Sequence, residues 1–361
     1  MALPNKSNYG KLSAAQTLGL VAGIISLPVY LLWNVATTAY ASHNSKRTLK
    51  RIITDSALRH VTSTLSNAQL QSAFGTDLTV YEQWTKNNKQ PKTIDELGDD
   101  AKLLWIGPKR LDRGAFLLPC AEFMVSFWRY VQLELEKQNI EVGFALLSYS
   151  LAPYAVFPTP LKQARLALDF LFAAGVKPQN LQLVGDSAGG NMVLQVLSQV
   201  MHPLASVPEI RLPGPLRGAF LISPWVSLSA TSKSHTENDG RDILTHRTLN
   251  AWGAEILKDT PPSDNAFVEA VRAPEDWFAG VDLLVDRVLI SGGGAECLRD
   301  DIVAFGEAFK KHHKETELVV QKDGLHEDMY LDFALGEKKL SSLTPLTVEW
   351  LAAGFLAEPS T

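Results

Sequence analysis

The sequence predicts an α/β fold, a mostly parallel sheet covered by helices on both faces, with an apolar helix ahead of it. Three observations carry this. Short, near-continuously apolar runs alternate with helical segments along most of the chain. A Gly-x-Ser-x-Gly sequence joins one such run to the helix that follows it. No Asp, Glu, Lys, Arg or His occurs between Leu12 and Ser42.

Within that charge-free stretch, Leu18 to Tyr40 is apolar for about the 20 residues needed to cross a hydrocarbon core. Tyr30, Trp33 and Tyr40 lie towards its far end, where amphipathic rings suit a headgroup zone. The expectation is a single-pass membrane anchor after a short leader, residues 1–44, in the endoplasmic reticulum. A cleaved signal peptide would use Lys6 and Lys11 as its charged end, but its apolar region would be shorter. A buried core helix is the third reading, disfavoured by Pro28 and by the lack of a polar face. Lys46, Arg47, Lys50 and Arg51 follow the segment, which favours a cytoplasmic side for the rest of the chain without fixing it.

The remaining elements follow in order. Residues 45–92 look helical and polar. Strand-like runs are expected at Leu103–Ile106, Gly143–Ser148, Leu181–Val184, Ala219–Ile222, Arg287–Ile290 and Glu317–Gln321. Between them lie helices at Ala121–Gln138, Leu161–Ala174, Gly189–Met201 and Asp300–His312. Core-facing stripes such as Leu161, Ala164, Leu168 and Leu171, or Ile302, Phe305 and Phe309, mark their inner faces. From about 226 to 285 the alternation lapses into polar, Pro- and Trp-containing sequence too long for a simple loop, so cap elements are expected there and in 45–92.

Composition narrows the function. With 361 residues, 46% hydrophobic and 20% charged, the chain is neither disordered nor collagen-like. A net charge of −5 without a basic block gives no footprint for nucleic acid. Cys120 and Cys297 are the only cysteines and belong to no CxxC or Cys/His cluster, so neither a disulfide framework nor a metal site is expected.

Gly185-Asp186-Ser187-Ala188-Gly189-Gly190 has the context of a nucleophile elbow: strand, tight turn, helix. A serine hydroxyl needs a base and an orienting carboxylate before it attacks. His326, in Gly324-Leu325-His326-Glu327-Asp328, follows a strand at the end where α/β sheets place their sites. The same geometry points to the loop after Arg287–Ile290. There Glu296 is preferred over Asp300, because Asp300 and Asp301 read as helix-start carboxylates capping free amides. The glycines at 292–294 read as a flexible strand exit. The candidate triad is Ser187, Glu296 and His326, in the chain order of α/β-hydrolases.

At these residues the sequence resembles the hormone-sensitive-lipase-like branch of the α/β-hydrolases, and within it fungal membrane-anchored esterases of the steryl acetyl hydrolase type. The matching stretches are Ser148-Tyr149-Ser150-Leu151-Ala152-Pro153 with Phe157-Pro158, Gly185–Gly190, Ile222-Ser223-Pro224-Trp225, Glu296–Asp301 and Gly324-Leu325-His326. The resemblance implies a helical cap, no cofactor, and a serine esterase mechanism on that triad. The family also carries a His-Gly-Gly stretch after a central strand, whose amides hold the oxyanion. Here Trp105–Arg113 runs straight into Gly114-Ala115-Phe116, so by that comparison one central strand and the His-Gly are missing. The backbone of Ala188, with Gly114 and Ala115, is then expected to form a partial oxyanion hole.

The expected function is a carboxylic-ester hydrolase for lipophilic small molecules, with acetate esters as one class, held at a membrane by its amino-terminal helix. The alternatives are a hydrolase-fold binding protein that has lost oxyanion stabilisation, and an acyltransferase on the same triad. Fluorophosphonate labelling separates binding from catalysis.

Overall fold

The computed structural model describes residues 9–118 and 122–357. Lys6 and Cys120 lie outside that range. Eight strands form one sheet: β1 (Ile94–Gly98), β2 (Ala101–Ile106), β3 (Gly114–Leu118), β4 (Gly143–Ser148), β5 (Leu181–Asp186), β6 (Gly218–Ile222), β7 (Val288–Gly293) and β8 (Thr316–Gln321). Their spatial order is β1-β2-β4-β3-β5-β6-β7-β8. The β1–β2 and β2–β4 pairs are antiparallel and the rest parallel.

The helices in chain order are α1 (Ala14–Thr38), α2 (Leu49–Thr64), α3 (Asn67–Phe74), α4 (Asp77–Asn87), α5 (Glu122–Lys137), α6 (Thr159–Ala173), α7 (Ala188–Met201), α8 (Lys233–Glu237), α9 (His246–Leu257), α10 (Asn265–Val268), α11 (Arg299–Phe309), α12 (Asp328–Leu335) and α13 (Leu343–Leu356). Alternate strand side chains feed two cores. Leu103, Leu147, Leu183, Leu221 and Ile290 meet α6, α7 and α11 on one face, while Leu104, Leu146, Val184, Phe220 and Leu289 meet α5 and α13 on the other. The insertion between β6 and β7 carries α8 to α10.

The expected gap in the sheet does not exist. Gly114–Leu118 is the central strand itself, pairing in parallel with β4 from Gly114↔Gly143 and with β5 from Gly114↔Leu181 to Leu118↔Gly185. Five residues suffice, since Ala115 enters one core and Phe116 the other. Each neighbour thereby gains a hydrogen-bonded edge that would otherwise be buried unpaired. The antiparallel edge strand β1 also escaped the sequence reading, because Ile94-Asp95-Glu96-Leu97-Gly98 is mostly polar.

α1 starts on a capping box, in which Ser13 Oγ accepts from Gln16 N at 3.2 Å and Gln16 Oε1 accepts from Ser13 N at 2.9 Å. It is not a core helix: Leu18, Ile25, Val29, Leu32 and Trp33 face outwards, Leu32 at 75% exposure. One face rests on α2. Gly23 admits Leu65 there, Ser26 Oγ lies 3.0 Å from His60 Nε2, and Ser56 Oγ donates to Asn34 Oδ1 at 2.8 Å.

α2 is locked to α12 by buried charge. The Arg51 guanidinium donates to Asp55 Oδ1 at 2.8 Å, Asp332 Oδ1 at 3.0 Å and the Asp328 carboxylate. Burial opposes its charge, but Asp328, Asp55 and Asp332 outweigh that and raise its pKa. Arg47 Nη1 joins Asp55 at 3.0 Å and Asp328 at 3.2 Å. Arg51→Met keeps the volume but leaves carboxylates short of a counter-charge. Loss of one buried partner costs about 3–5 kcal/mol, and the remaining Arg47 places the expected loss near about 3 kcal/mol in urea unfolding. A loss below about 1 kcal/mol, the level of an exposed ion pair, contradicts the clamp.

Candidate active site

The turn from β5 to α7 holds Ser187 at φ +49° and ψ −115°. Such a conformation costs about 1–3 kcal/mol and persists only where the surroundings enforce it. Here Ser187 N donates to Ile222 O at 2.8 Å, and Ser187 O accepts from Trp225 N at 3.0 Å. Glycine is compulsory alongside. A Cβ on Gly185 would stand 2.2 Å from Gly189 O, and one on Gly190 would stand 2.8 Å from Pro224 Cβ. The Gly-x-Ser-x-Gly and Ser-Pro-Trp stretches are thus two halves of one packing unit.

The acid and base come from the carboxyl ends of β7 and β8. Glu296 is wholly buried; its Oε1 accepts from Gly293 N at 2.9 Å, and its Oε2 lies 3.0 Å from His326 Nδ1. A carboxylate only accepts, so Nδ1 carries the proton and Nε2 of the neutral ring is left as the basic atom. The glycines before Glu296 are not a flexible exit. β7 continues to Gly293; a Cβ on Gly292 would sit 2.7 Å from Glu296 Oε1, and one on Gly293 would sit 2.4 Å from Gly324 O. Asp300 and Asp301 do stand in the first turn of α11, but their side chains reach α8 rather than the amides of their own helix. Asp300 Oδ2 accepts from Ser234 N at 2.8 Å, and Asp301 Oδ2 lies 2.8 Å from His235 Nε2.

Ser187 and His326 sit on strand ends of the same sheet edge, yet among the described residues no hydrogen bond joins Ser187 Oγ to His326 Nε2. A Glu327 carboxylate oxygen faces Nε2 at 3.6 Å instead. Glu327 also presses on Asp186: burial first, then the Glu327 charge, raises the Asp186 pKa well above the carboxylate range. For His326, burial opposes the charged ring, but Glu327, then Glu296 and Asp242, push it up to about 9. Glu327 adjoins the histidine in sequence; its left-handed backbone, φ +53°, turns it back on the ring.

Ala188 lies exposed at the head of α7, with its N–H in the unpaired first turn. Gly114 and Ala115 are not near it. They open β3 opposite Leu181 and Gln182, roughly 15–20 Å along the sheet from Ser187 at about 3.3 Å per residue. The β3–β5 pairing ends at Leu118 opposite Gly185, and the notional oxyanion residues Gly114 and Ala115 stand at its far end.

A cavity of about 320 Å³ opens beside Ala188. Leu70, Tyr149, Phe157, Met192, Trp225 and Trp252 line it, combining α3, the Ser148–Pro158 stretch, α7 and the insertion. Among the described residues no cluster of His, Cys, Asp and Glu suits a metal ion. Cys297 is a buried free thiol.

A family model described as alpha/beta hydrolase fold matches residues 137–329, which include Ser187, Glu296 and His326. The chain belongs to the α/β-hydrolase fold family. A Schizosaccharomyces pombe protein provisionally named a steryl acetyl hydrolase is 26% identical over 231 residues, 62% of this chain and 59% of that protein. An esterase of Acinetobacter venetianus is 26% identical over 162 residues, 45% of this chain and 48% of the esterase. The chain therefore spans between about half and three-fifths of the length of these curated relatives. Among solved structures, an esterase from the bacterial hormone-sensitive lipase family shares the fold with a TM-score of 0.57 at 22% identity, over 77% of this chain and 98% of that one. The esterase EstE5, soaked with p-nitrophenyl butyrate, gives 0.61 at 21% identity, over 86% and 100%.

Proposed function

We propose that the protein is a serine-dependent carboxylic-ester hydrolase acting on lipophilic esters at a membrane. The observation that carries this reading is the buried Glu296–His326 pair, 3.0 Å apart, at the strand ends beside a strained serine turn. Ser187 is the nucleophile. His326 Nε2 takes its proton and later returns it to the leaving alcohol, and Glu296 fixes the tautomer and steadies the imidazolium. The Ala188 N–H supports the oxyanion. Water then releases the acyl group. Hydrogen bonds of this kind are often open without substrate, and here displacement of Glu327 from Nε2 must accompany closure.

The apolar cavity favours a lipophilic alcohol or acyl group, and the Schizosaccharomyces pombe relative makes acetate esters the first class to try. The exposed apolar face of α1, 25 residues long, supports a single-pass anchor, with residues 45–361 as the hydrolase domain and 45–92 and 226–285 as its cap. Resistance of the full chain to alkaline carbonate extraction, lost on deleting residues 1–44, tests the anchor; release of the full chain overturns it.

Hydrolysis of p-nitrophenyl acetate across pH tests the mechanism. Only neutral His326 accepts a proton, and its pKa is pushed up to about 9. Activity therefore rises with pH, about tenfold in kcat/KM per unit well below that value, and levels near about pH 9. An ordinary histidine would level off about two units lower, and that outcome contradicts the electrostatics.

A second reading, a ligand-binding protein without turnover, is favoured by one observation: Glu327 rather than Ser187 faces Nε2. Fluorophosphonate distinguishes the two, since a pocket without turnover leaves Ser187 unmodified.

A further inference from the structure

Glu296 and His326 belong to different loops, and their 3.0 Å contact requires the two backbones to be fixed against each other. One side chain bridges both. Asp242, in the insertion between α8 and α9, is wholly buried. Its Oδ2 accepts from Cys297 N at 2.8 Å, and its Oδ1 accepts from His326 N at 3.0 Å and Ile243 N at 2.8 Å. Cys297 immediately follows Glu296, so one carboxylate holds the backbone beside the acid and the backbone of the base.

The bridge is itself anchored. Asp242 N donates to Asn238 O at 3.0 Å, Asn238 Nδ2 donates to Glu296 O at 2.8 Å, and Arg59 Nε on α2 donates to Asp242 O at 2.5 Å. No hydrogen-bonded group in this cluster depends on substrate, so the arrangement is complete in the free protein.

We propose that Asp242 is a positioning residue that sets the Glu296–His326 geometry and adds negative charge behind the imidazole. This rests on the triad assigned above. His326 and Glu296 act on Asp242 directly and Arg59 of α2 binds its carbonyl, while Asp239 and Arg59 bear on the neighbouring Cys297 and Glu327 bears on His326. Burial foremost lifts Asp242 to about 6, and it is ionised at the pH where neutral His326 begins to accumulate. Asparagine at 242 places a donor where one of the two carboxylate oxygens stood, and Cys297 N and His326 N approach different oxygens, so one of the loops loses its tether.

The test is steady-state hydrolysis of p-nitrophenyl acetate by the purified full chain in detergent, comparing wild type, Asp242→Asn and Ser187→Ala. Misplacement by about 1 Å costs on the order of 100-fold, so kcat of Asp242→Asn falls about 30- to 100-fold with KM within about twofold. Its acidic limb moves to lower pH by about one unit, because a negative charge no longer favours the imidazolium. A merely structural aspartate would not move that limb. An Asp242→Asn enzyme with kcat within about twofold of wild type, or with its limb unmoved, overturns the proposal. If that variant does not fold, Asp242→Ser, smaller and keeping one acceptor, takes its place with the same expectations; failure of both to fold assigns Asp242 to stability alone and also overturns it. Ser187→Ala separates the two claims: wild-type hydrolysis by that variant removes the triad itself, whereas its inactivity leaves the Asp242 result to be read as positioning.

Discussion

If Ser187 is the nucleophile proposed above, Ser187→Ala is expected to lower kcat for p-nitrophenyl acetate by about 10⁴- to 10⁶-fold, the range found when a triad nucleophile is removed. The fold is not expected to suffer. Among the described residues the Ser187 hydroxyl makes no hydrogen bond, and its backbone is held by Ile222 O and Trp225 N, which alanine retains. Positive φ disfavours both residue types alike. The variant therefore unfolds within about 1 kcal/mol of wild type while losing hydrolysis, and urea titration beside the kinetic assay checks both halves. Comparable loss of stability and activity would place Ser187 in the scaffold instead.

With Glu296 as the proposed acid, Glu296→Gln is expected to lower kcat by about 10³- to 10⁴-fold. Glu296 Oε1 accepts from Gly293 N at 2.9 Å, and Oε2 from the Nδ1 side of His326 at 3.0 Å. An amide supplies one acceptor. If that acceptor serves Gly293, the amide nitrogen meets Nδ1 and drives the ring proton to Nε2, where the base must be free. The opposite rotamer restores the tautomer but leaves the Gly293 N–H buried without an acceptor. Either way the neutral substitution removes charge beside His326, so its acidic limb also moves to lower pH. Kinetics from pH 6 to about 10 report both effects, and a variant within about tenfold of wild type contradicts the assignment of the acid.

Much of the candidate site's layout was legible because its parts are local. The elbow announces itself through Gly185, Ser187 and Gly189 between a strand and a helix, and His326 and Glu296 each follow an apolar strand run. Gly114 and Ala115 misled because they resemble part of a glycine-rich oxyanion stretch, whereas their apolar neighbours needed them as strand. Strand membership depends on which edges wait to be paired, and that is fixed by β4 and β5, far along the chain. Asp242 left no signal at all. It reaches partners 55 and 84 residues away, and a lone aspartate in an irregular insertion reads as surface. Glu327 was visible beside His326, but its turn back onto Nε2 depends on a left-handed backbone that spacing does not report.

The central claim is that Ser187 is a nucleophile activated by His326. Treating the folded full chain with a fluorophosphonate and locating the adduct by peptide mass spectrometry tests it directly. A single phosphonyl group on Ser187, absent from His326→Gln, is the predicted result; folded protein with Ser187 unmodified, or with the label on another residue, contradicts it.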